Sequence, residues 1–232
     1  MARPASDIRE RISTAARTRF LIEGVDGASL RQIAKDAGTN IGMVYYYFKA
    51  KDDLFHAVVE DVYRGLLADI EQILGAGDTE EARFRALYER LAKLSDEEFD
   101  VIRLVLREAL VSSTRLRFLG ELFIRGHIPV VLQALGGGVV AERLRGDVSP
   151  VLLMAASLIL GFMPQVAHRI FSTAITTTPA GQSPHAPLAA LAAAADGGGI
   201  IPSADQVARK MADILFHGIA APSADGKPPD RA

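Results

Sequence analysis

Hydrophobic residues recur at intervals of three and four along most of this chain, which is the spacing of one face of an α-helix. A long stripe of this kind covers 51–75 and begins with Leu54, Phe55, Val58 and Val62. The alternation of apolar and polar residues that marks a half-buried strand does not appear in the sequence. The pattern therefore predicts an all-α fold.

Capping residues and glycines divide the first half of this pattern into separate helices. We expect a first helix over 6–23, two short helices over 30–36 and 41–46, and a long helix over 51–75. Gly24 and Gly27 bracket the end of the first helix, and Gly38 ends the second. A capping box, Ser29 with Gln32, is expected to open the second helix, and Asn40 is expected to cap the third.

Similar signals predict the helices of the second half. One helix is expected to begin at Thr79, and a Ser95–Glu98 capping box is expected to open the next. We expect further helices over 116–135, interrupted at Pro129, over 150–171, kinked at Pro164, and over 203–219, opened by Ser203 and Gln206. The stretch 172–202 is rich in Thr, Pro, Ala and Gly, and is expected to be mostly irregular, with at most a helical patch at 188–195.

Two short helices joined by a turn with a glycine have the layout of a helix-turn-helix. Charge supports this interpretation, because the net charge of −2 is unevenly distributed. Residues 1–55 carry nine Lys and Arg against seven Asp and Glu, whereas the remainder carries 17 against 21. Within 31–51 four basic residues stand against Asp36 alone. Such a local surplus of positive charge is typical of a surface that binds nucleic acid.

The chemistry of the segment 40–51 fits contact with a DNA backbone. Asn40 caps a helix start whose N–H groups can bind phosphate, and Gly42 allows the backbone to approach a duplex closely. Of the three tyrosines 45–47, at least one must face outward, where its hydroxyl can donate to phosphate. Aromatic residues at helical spacing are more often core, so we expect Tyr46 or Phe48 to be buried. Lys51 begins a helix, where a cation interacts unfavourably with the helix dipole. Contact with a polyanion therefore explains a lysine at this position better than a contribution to stability does.

Residues 8–56 resemble the DNA-binding head of the tetracycline-repressor (TetR) family of bacterial transcription regulators. The resemblance rests on the ordered set Ile12, Ala15, Ala16, Phe20, Gly24, Ser29, Ile33, Ala34, Ala37, Gly38, Gly42, Val44, Tyr45, Tyr47, Phe48, Lys51 and Leu54. Over 57–232 it is coarse, resting on the run 106–108 and two apolar helices near the end. It implies an N-terminal three-helix DNA-binding domain at 1–50, joined by a long helix to a larger helical ligand-binding and dimerisation domain at 51–221, with a flexible tail at 222–232.

The resemblance also implies which residues contact double-stranded DNA. Ser29 is expected to bind phosphate and Arg31 phosphate or a base edge, while Tyr47 and Lys51 clamp the backbone. The recognition helix is expected to present Asn40, Ile41, Gly42 and Tyr45. The chain departs from the family at three positions: Ile41, which is often polar, Ala50, which replaces a capping residue, and Arg19, which is usually apolar.

The family pairs two apolar helices with their symmetry mates, which here implies a homodimer through 150–171 and 203–219. The uncharged stretch 148–167 contains two prolines and Gln165, so we expect a buried helix or subunit interface and no membrane span. The family also implies a cavity for an unknown small-molecule effector. Its candidate wall residues are the polar or aromatic groups of otherwise apolar helices: Arg103, Arg107, Phe123, His127, Phe162, Gln165 and His168.

Other functional classes find less support in the sequence. The chain has no cysteine, which excludes thiolate metal sites and thiol nucleophiles, and it lacks the pattern of a nucleophile elbow, a phosphate loop or a di-metal bundle. We therefore expect no enzyme, no cofactor and no metal. Lack of cysteine and of an N-terminal apolar segment favours a cytoplasmic protein. We expect a homodimeric repressor that a small, largely apolar ligand releases from a palindromic operator. A DNA-binding regulator without small-molecule input, and then a helical-bundle enzyme, are the alternatives.

Overall fold

The computed structural model describes residues 5–76, 79–136, 150–177 and 203–217. These residues form ten helices and no strand, which confirms the all-α fold. In chain order the helices are α1 Ala5–Gly27, α2 Leu30–Asp36, α3 Ile41–Tyr47, α4 Lys51–Gly75, α5 Glu80–Ala92, α6 Asp96–Val111, α7 Ser113–Arg125, α8 His127–Gly136, α9 Pro150–Thr177 and α10 Ala204–His217.

Contacts divide the chain into two units. The N-terminal unit comprises Met1–Gln72 and Leu94–Val130, and the second unit comprises Ile73–Lys93 and Val131–Ala232. The first three helices, α1, α2 and α3, thus group with most of α4, with α6 and with α7. The domain boundaries near residues 50 and 221 remain predictions, and the tail at 222–232 lies outside the described residues.

The N-terminal unit has one continuous hydrophobic core. Its members include fully buried side chains from α1, α2, α3 and α4, together with residues of α6 and α7: Ile12, Phe20, Ile33, Val44, Leu54, Phe55, Val101, Leu104 and Leu119. Burial of large apolar side chains is the main favourable term in folding, so this shared core holds the short helices that could not persist alone.

Helix α1 ends through an unusual backbone conformation at Gly24. This residue has φ 76° and ψ 166°, a region that is essentially restricted to glycine, and it interrupts the helical geometry three residues before Gly27. Gly38, which follows α2, also has a positive φ of 63°. Both glycines therefore allow turns that the sequence predicts at these positions.

Three of the predicted caps are confirmed. Asn40 Oδ1 accepts the N–H of Met43 at 3.0 Å, and complete capping boxes are formed by Ser95 with Glu98 and by Ser203 with Gln206. Each satisfies N–H groups that a helix start leaves without an intrahelical partner.

The capping box predicted at Ser29 is wrong. Ser29 occupies the N-cap position, but its side chain makes no capping hydrogen bond. Gln32, the expected partner, instead donates from Nε2 to Asp36 Oδ1 at 2.8 Å. Helix α4 retains part of a cap despite Ala50, because the Ala50 N–H donates to the Asp53 carboxylate at 2.9 Å.

The interruption predicted at Pro129 lies instead at Gly126. Helices α7 and α8 meet there at a bend of 46°, and Gly126 has non-helical φ −102° and ψ −113°. Pro129 is only the third residue of α8, within the first turn, where its missing N–H costs no intrahelical hydrogen bond. The proline therefore fits inside the helix that it was expected to interrupt.

Helix α9 is longer than predicted and continues through Pro164 to Thr177. Residues 172–177 are thus helical where irregular structure was expected, while 178–202, with the predicted patch at 188–195, lies outside the described residues. No single helix in the described part of the chain is long and apolar enough to cross a membrane, although the bent pair α7 and α8 meets that test by length and composition.

The second unit is built on close contact between α5, α9 and α10. Ala208 and Ala212 of α10 are fully buried, and Phe84 of α5 lies 5.9 Å from Phe216, measured between ring centroids. Tyr88 is also buried, and its hydroxyl donates to the carbonyl oxygen of Ser157 at 2.7 Å. These contacts join helix α5 to the long, mostly apolar helix α9 and to the amphipathic helix α10.

Candidate nucleic-acid interface

Helices α2 and α3 form the predicted helix-turn-helix, with its inner face in the core. Ile33, Ala34 and Val44 are buried, and the Thr39 N–H donates to the Ala34 carbonyl oxygen at 2.9 Å across the turn. The turn itself uses the positive φ of Gly38. The outer face is therefore fixed in orientation by packing that lies beneath it.

The outer face carries positive charge and aromatic groups. Exposed side chains on α2 are Arg31, Lys35 and Asp36, those on α3 include Tyr45 and Tyr46, and Lys49 follows at the end of the motif. Ser29 is also exposed, and its hydroxyl is not used as a helix cap. Hydroxyl, guanidinium and ammonium groups are the donors that proteins direct at phosphate oxygens.

Helix α3 presents its residues unevenly. Gly42 is exposed, Ile41 is half-buried, and Asn40 uses Oδ1 to cap the helix. A Cβ at Gly42 would lie 3.1 Å from Asn40 Oδ1, so a side chain there would press on the cap. Glycine at position 42 thus leaves this end of the helix without a protruding side chain and leaves the Asn40 cap undisturbed.

The three tyrosines have different environments. Tyr45 and Tyr46 are exposed, Tyr47 is half-buried, and Phe48 is buried. The expectation that Tyr46 or Phe48 belongs to the core is therefore met by Phe48. Tyr46, whose ring packs edge-on against Tyr47 at 5.0 Å between centroids, is a surface residue that our sequence-based contact set omits. The sequence does offer a signal for the exposure of Tyr46, because its side chain points only 100° around the helix from that of Tyr45.

Lys51 is held against the turn before α2. Its Nζ donates to the carbonyl oxygen of Asp26 at 2.7 Å, and the side chain is half-buried. An ammonium has three N–H donors, so this bond leaves two for other acceptors. The predicted backbone clamp is thus anchored to the protein while retaining donors for a ligand.

A buried arginine on α7 is the centre of a charge cluster in this unit, and our sequence analysis did not identify it. Arg115 donates to both carboxylate oxygens of Asp26 at 3.1 and 2.5 Å, to Asp52 at 3.0 Å and to Glu108 at 2.7 Å. The guanidinium lowers the pKa of Asp26, chiefly through these hydrogen bonds. Glu108 is itself buried and accepts the N–H of Val25 at 3.3 Å.

The departure at Arg19 has a structural explanation. Its guanidinium donates to Asp36 at 2.6 Å and to Glu23 at 2.8 Å, which joins α1 to the end of α2. The hydrogen bond from Arg19 is the main cause of a lowered pKa at Asp36. A charged residue therefore occupies this position because it has two carboxylate partners at the surface.

Of the predicted ligand-cavity residues in the N-terminal unit, two lie together. Phe123 and His127 pack with ring centroids 5.0 Å apart, and the Tyr63 hydroxyl lies 2.9 Å from His127 Nδ1 and accepts the His127 backbone N–H at 2.9 Å. Burial lowers the pKa of His127 and raises that of Tyr63. This aromatic cluster (Tyr63, Phe123 and His127) combines an apolar surface with a polar hydrogen-bonding pair.

The remaining cavity candidates are not part of that cluster. Arg103 and Arg107 are exposed on α6, where Arg103 lies 3.5 Å from Asp100 and Arg107 donates to the Leu21 carbonyl oxygen at 3.4 Å. Phe162, Gln165 and His168 belong to α9 in the second unit. Gln165 is buried, and its two amide atoms have no hydrogen-bond partner among the described residues.

Among the described residues of the second unit, one group of side chains has ligand atoms close enough for a metal ion. Atoms of Glu81, Asp213 and His217 lie within 4.8 Å of one another. However, Arg85 donates to both carboxylates at 2.9 Å, and its guanidinium therefore already pairs with them and offsets one of their two negative charges. The geometry is explained by ion pairing between α5 and α10.

Comparison with known sequences gives matches among bacterial regulators. Residues 12–58 match the family described as "Bacterial regulatory proteins, tetR family". The chain is 33% identical over 101 residues to the uncharacterized HTH-type transcriptional regulator TtgW of Pseudomonas putida, covering 44% of this chain and 75% of TtgW. It is equally identical over 101 residues to the HTH-type transcriptional regulator SrpR of Pseudomonas putida, but spans only about half of that relative, with 44% of this chain and 47% of SrpR aligned.

Solved structures extend the similarity over most of the chain. FadR from Bacillus subtilis, in complex with stearoyl-CoA, has a TM-score of 0.66 at 13% identity, covering 91% of this chain and 99% of FadR. The TetR family transcriptional regulator PfmR from Thermus thermophilus has a TM-score of 0.62 at 19% identity, covering 91% of this chain and 100% of PfmR. At these identities the comparison concerns the fold.

Proposed function

Because the chain belongs to the TetR family of bacterial transcriptional regulators, we propose that it acts as a homodimeric repressor of a palindromic operator, which a small, largely apolar ligand releases. The observation that carries the proposal is the outer face of α2 and α3. It carries the exposed Arg31, Lys35 and Lys49 together with the exposed Tyr45, on a motif whose opposite face is buried. This arrangement joins phosphate-binding donors to a short helix of the kind that enters the major groove.

Dimerisation is supported by an apolar face on α9. Leu152, Ile159 and Met163 are 62%, 58% and 47% exposed, and their spacing of seven and four places them along one side of the helix. A line of large apolar side chains on the surface is typical of an interface. Two copies would present two recognition helices to two half-sites, as a palindrome requires.

Ligand control is supported by the aromatic cluster and by the relatives. Tyr63, Phe123 and His127 form an apolar surface with a polar pair, a combination typical of small-molecule sites. FadR, which shares the fold, was solved with stearoyl-CoA. A ligand would release DNA by binding one conformation better than the other. The alternative, a regulator without such input, predicts that no ligand changes operator affinity.

The DNA-binding proposal is tested by selecting duplexes from the fragmented source genome with the full-length protein and measuring affinity by fluorescence anisotropy. We expect a preferred palindromic duplex. Stearoyl-CoA is the first probe for release, followed by shorter apolar acids. Selection of no duplex at low ionic strength would contradict the proposal, whereas selection without any response to these probes would favour the alternative.

Lys51→Ala is expected to weaken binding to all duplexes and to lower the slope of log affinity against log salt by about one, because one phosphate contact is lost. The matched control is Lys93→Ala, an exposed lysine that follows α5 in the second unit and changes the net charge equally. Equal salt slopes for the two variants would refute the assignment of Lys51.

Ile41→Ala is expected to change base preference rather than the salt slope. Its apolar side chain is suited to contact with a thymine methyl group, which carries sequence information that phosphate contacts do not. Selection from randomised duplexes with the wild type and the variant measures this directly. Identical selected sequences would show that Ile41 does not read bases.

A further inference from the structure

We infer that Arg115 is a positioning residue for DNA binding, which holds the turn before α2 so that Lys51 stands ready to contact phosphate. The inference rests on the proposed function and adds to it a residue of α7, more than sixty positions away from the helix-turn-helix. Arg115 itself is buried, with its side chain only 6% exposed, and touches no DNA in this scheme.

Four segments of chain meet at the Arg115 guanidinium, which are α7, to which Arg115 belongs, and the three helices that carry its partners. Asp26 lies in the last turn of α1, Asp52 in the first turn of α4, and Glu108 near the end of α6, and each accepts a hydrogen bond from Arg115. The bond to Asp26 is bidentate, a geometry that fixes direction as well as distance. Arg115 therefore sets the relative position of three helix ends.

Two of these partners control Lys51. The backbone oxygen of Asp26 accepts the Lys51 ammonium at 2.7 Å, and Asp52 is the residue next to Lys51 in α4. Asp26 also lies three residues before Ser29, the N-cap of α2. Arg115 thus holds both the acceptor that aims the Lys51 side chain and the backbone from which that side chain extends.

Stability alone is a poor explanation for this cluster. The Asp26 side chain is 73% exposed, and pairs with so exposed a carboxylate contribute little to folding. Arg115 and Glu108, in contrast, are both buried, and burial of charged groups carries a desolvation cost that apolar residues would avoid. The cluster instead fixes the positions of the helix ends relative to one another.

Helix α7 presents the guanidinium from a rigid position. Phe118, one turn after Arg115, stacks on His56 of α4 with ring centroids 3.6 Å apart and planes at 15°. Arg115 also lies over the ring of Phe55, with 5.9 Å between the guanidinium carbon and the ring centroid. Both contacts fix α7 to α4, the helix that Lys51 begins.

The test measures operator affinity of the full-length protein by anisotropy, on the tightest duplex that the wild type selects. We expect Arg115→Gln to weaken binding about tenfold, the worth of one charge-assisted hydrogen bond, and to lower the salt slope by about one. On a Lys51→Ala background the same change should alter affinity by less than about twofold, because the contact that Arg115 positions is already absent.

Three further variants separate positioning from folding. Arg115→Lys should behave as the glutamine variant does, since a single ammonium cannot reproduce the fork that binds Asp26, Asp52 and Glu108. Arg117→Gln, an exposed arginine on the same helix, should bind within about twofold of the wild type. If Arg115→Gln is unfolded at the assay temperature, Asp26→Asn, at an exposed side chain, should show the same loss.

Specific results would overturn the inference. If Arg115→Gln weakens operator binding by the same factor on the Lys51→Ala background as on the wild type, Arg115 acts independently of Lys51. Unchanged affinity and salt slope in folded Arg115→Gln or Asp26→Asn would show that the cluster does not serve DNA binding. If the wild type selects no duplex, the proposed function fails and this inference with it, whereas failure of the variants alone leaves the proposed function standing.

Discussion

Replacing Gly24 with alanine is expected to destabilise the N-terminal unit, because the backbone there adopts φ 76° and ψ 166°. Residues with a Cβ reach this region only at a cost of about 1–3 kcal/mol. Alanine also reduces the freedom of the unfolded chain, which returns about 0.4–1 kcal/mol. The conformational terms together predict a loss of about 1–2 kcal/mol in the free energy of unfolding.

The space around Gly24 adds a smaller effect. A Cβ there would lie 2.6 Å from Arg107 Nη2 and 3.1 Å from Arg107 Cζ. Arg107 is exposed and its side chain is flexible at that end, so it can move away and lose a 3.4 Å hydrogen bond to the Leu21 carbonyl oxygen and a 3.9 Å ion pair with Glu108. The backbone therefore dominates, and we expect the melting temperature to fall by about 2–8 °C.

Urea denaturation followed by circular dichroism measures the change, with Gly27→Ala as the matched control. Gly27 lies three residues further on, and a Cβ there would meet only Glu23 Cβ at an ordinary 3.7 Å. The cost of Gly24→Ala should persist in an Arg107→Ala background, because it comes from φ and ψ. Equal stability of the two glycine variants would refute the reasoning, and full relief by Arg107→Ala would assign the cost to the steric contact instead.

Two other predictions concern the buried hydroxyl of Tyr88 and the half-buried imidazole of His127. Tyr88→Phe should lower the free energy of unfolding by about 1 kcal/mol, because the 2.7 Å hydrogen bond to the Ser157 carbonyl oxygen is lost inside the second unit. An unchanged midpoint of urea denaturation would contradict this prediction. The free energy of unfolding should fall as the pH is lowered from about 7.5 to 5.5, and it should fall less in His127→Gln. Burial holds the pKa of His127 in the folded protein below the ordinary 6.5, so the unfolded chain takes up the proton first as the pH is lowered. Parallel pH profiles of stability for the wild type and the variant would contradict this prediction.

The helices were predictable from sequence because their signals are local, whereas their junctions depend on tertiary contacts. The sequence predicts an interruption at Pro129, yet a proline in the first turn of a helix is tolerated. The junction lies at Gly126 because the Tyr63 hydroxyl packs there: a Cβ on Gly126 would collide with that hydroxyl and lie 2.9 Å from Tyr63 Cζ. The two residues are separated by 63 positions, so no local pattern indicates the contact.

The same limit applies to the candidate site. The exposed residues of α2 and α3 could be predicted because a short motif specifies them through spacing and charge. Arg115 could not, since its partners Asp26 and Asp52 are 89 and 63 positions away and all three look like ordinary surface charges in the sequence. Ser29 illustrates a local ambiguity as well, because Gln32 has a second partner, Asp36, within the same helix.

The cap at the start of α3 restricts the chemistry that Asn40 can offer to a base. Asparagine reads adenine by accepting from N6 and donating to N7 at once, which requires both ends of the amide. Here Oδ1 already accepts the Met43 N–H, so one of its two lone pairs is engaged while α3 stays intact, and Nδ2 keeps both of its N–H donors. Acceptors such as guanine O6, thymine O4 or a phosphate oxygen can therefore be bound through Nδ2 with the cap undisturbed, whereas pairing with adenine would make Oδ1 accept from the base and from the helix cap at the same time.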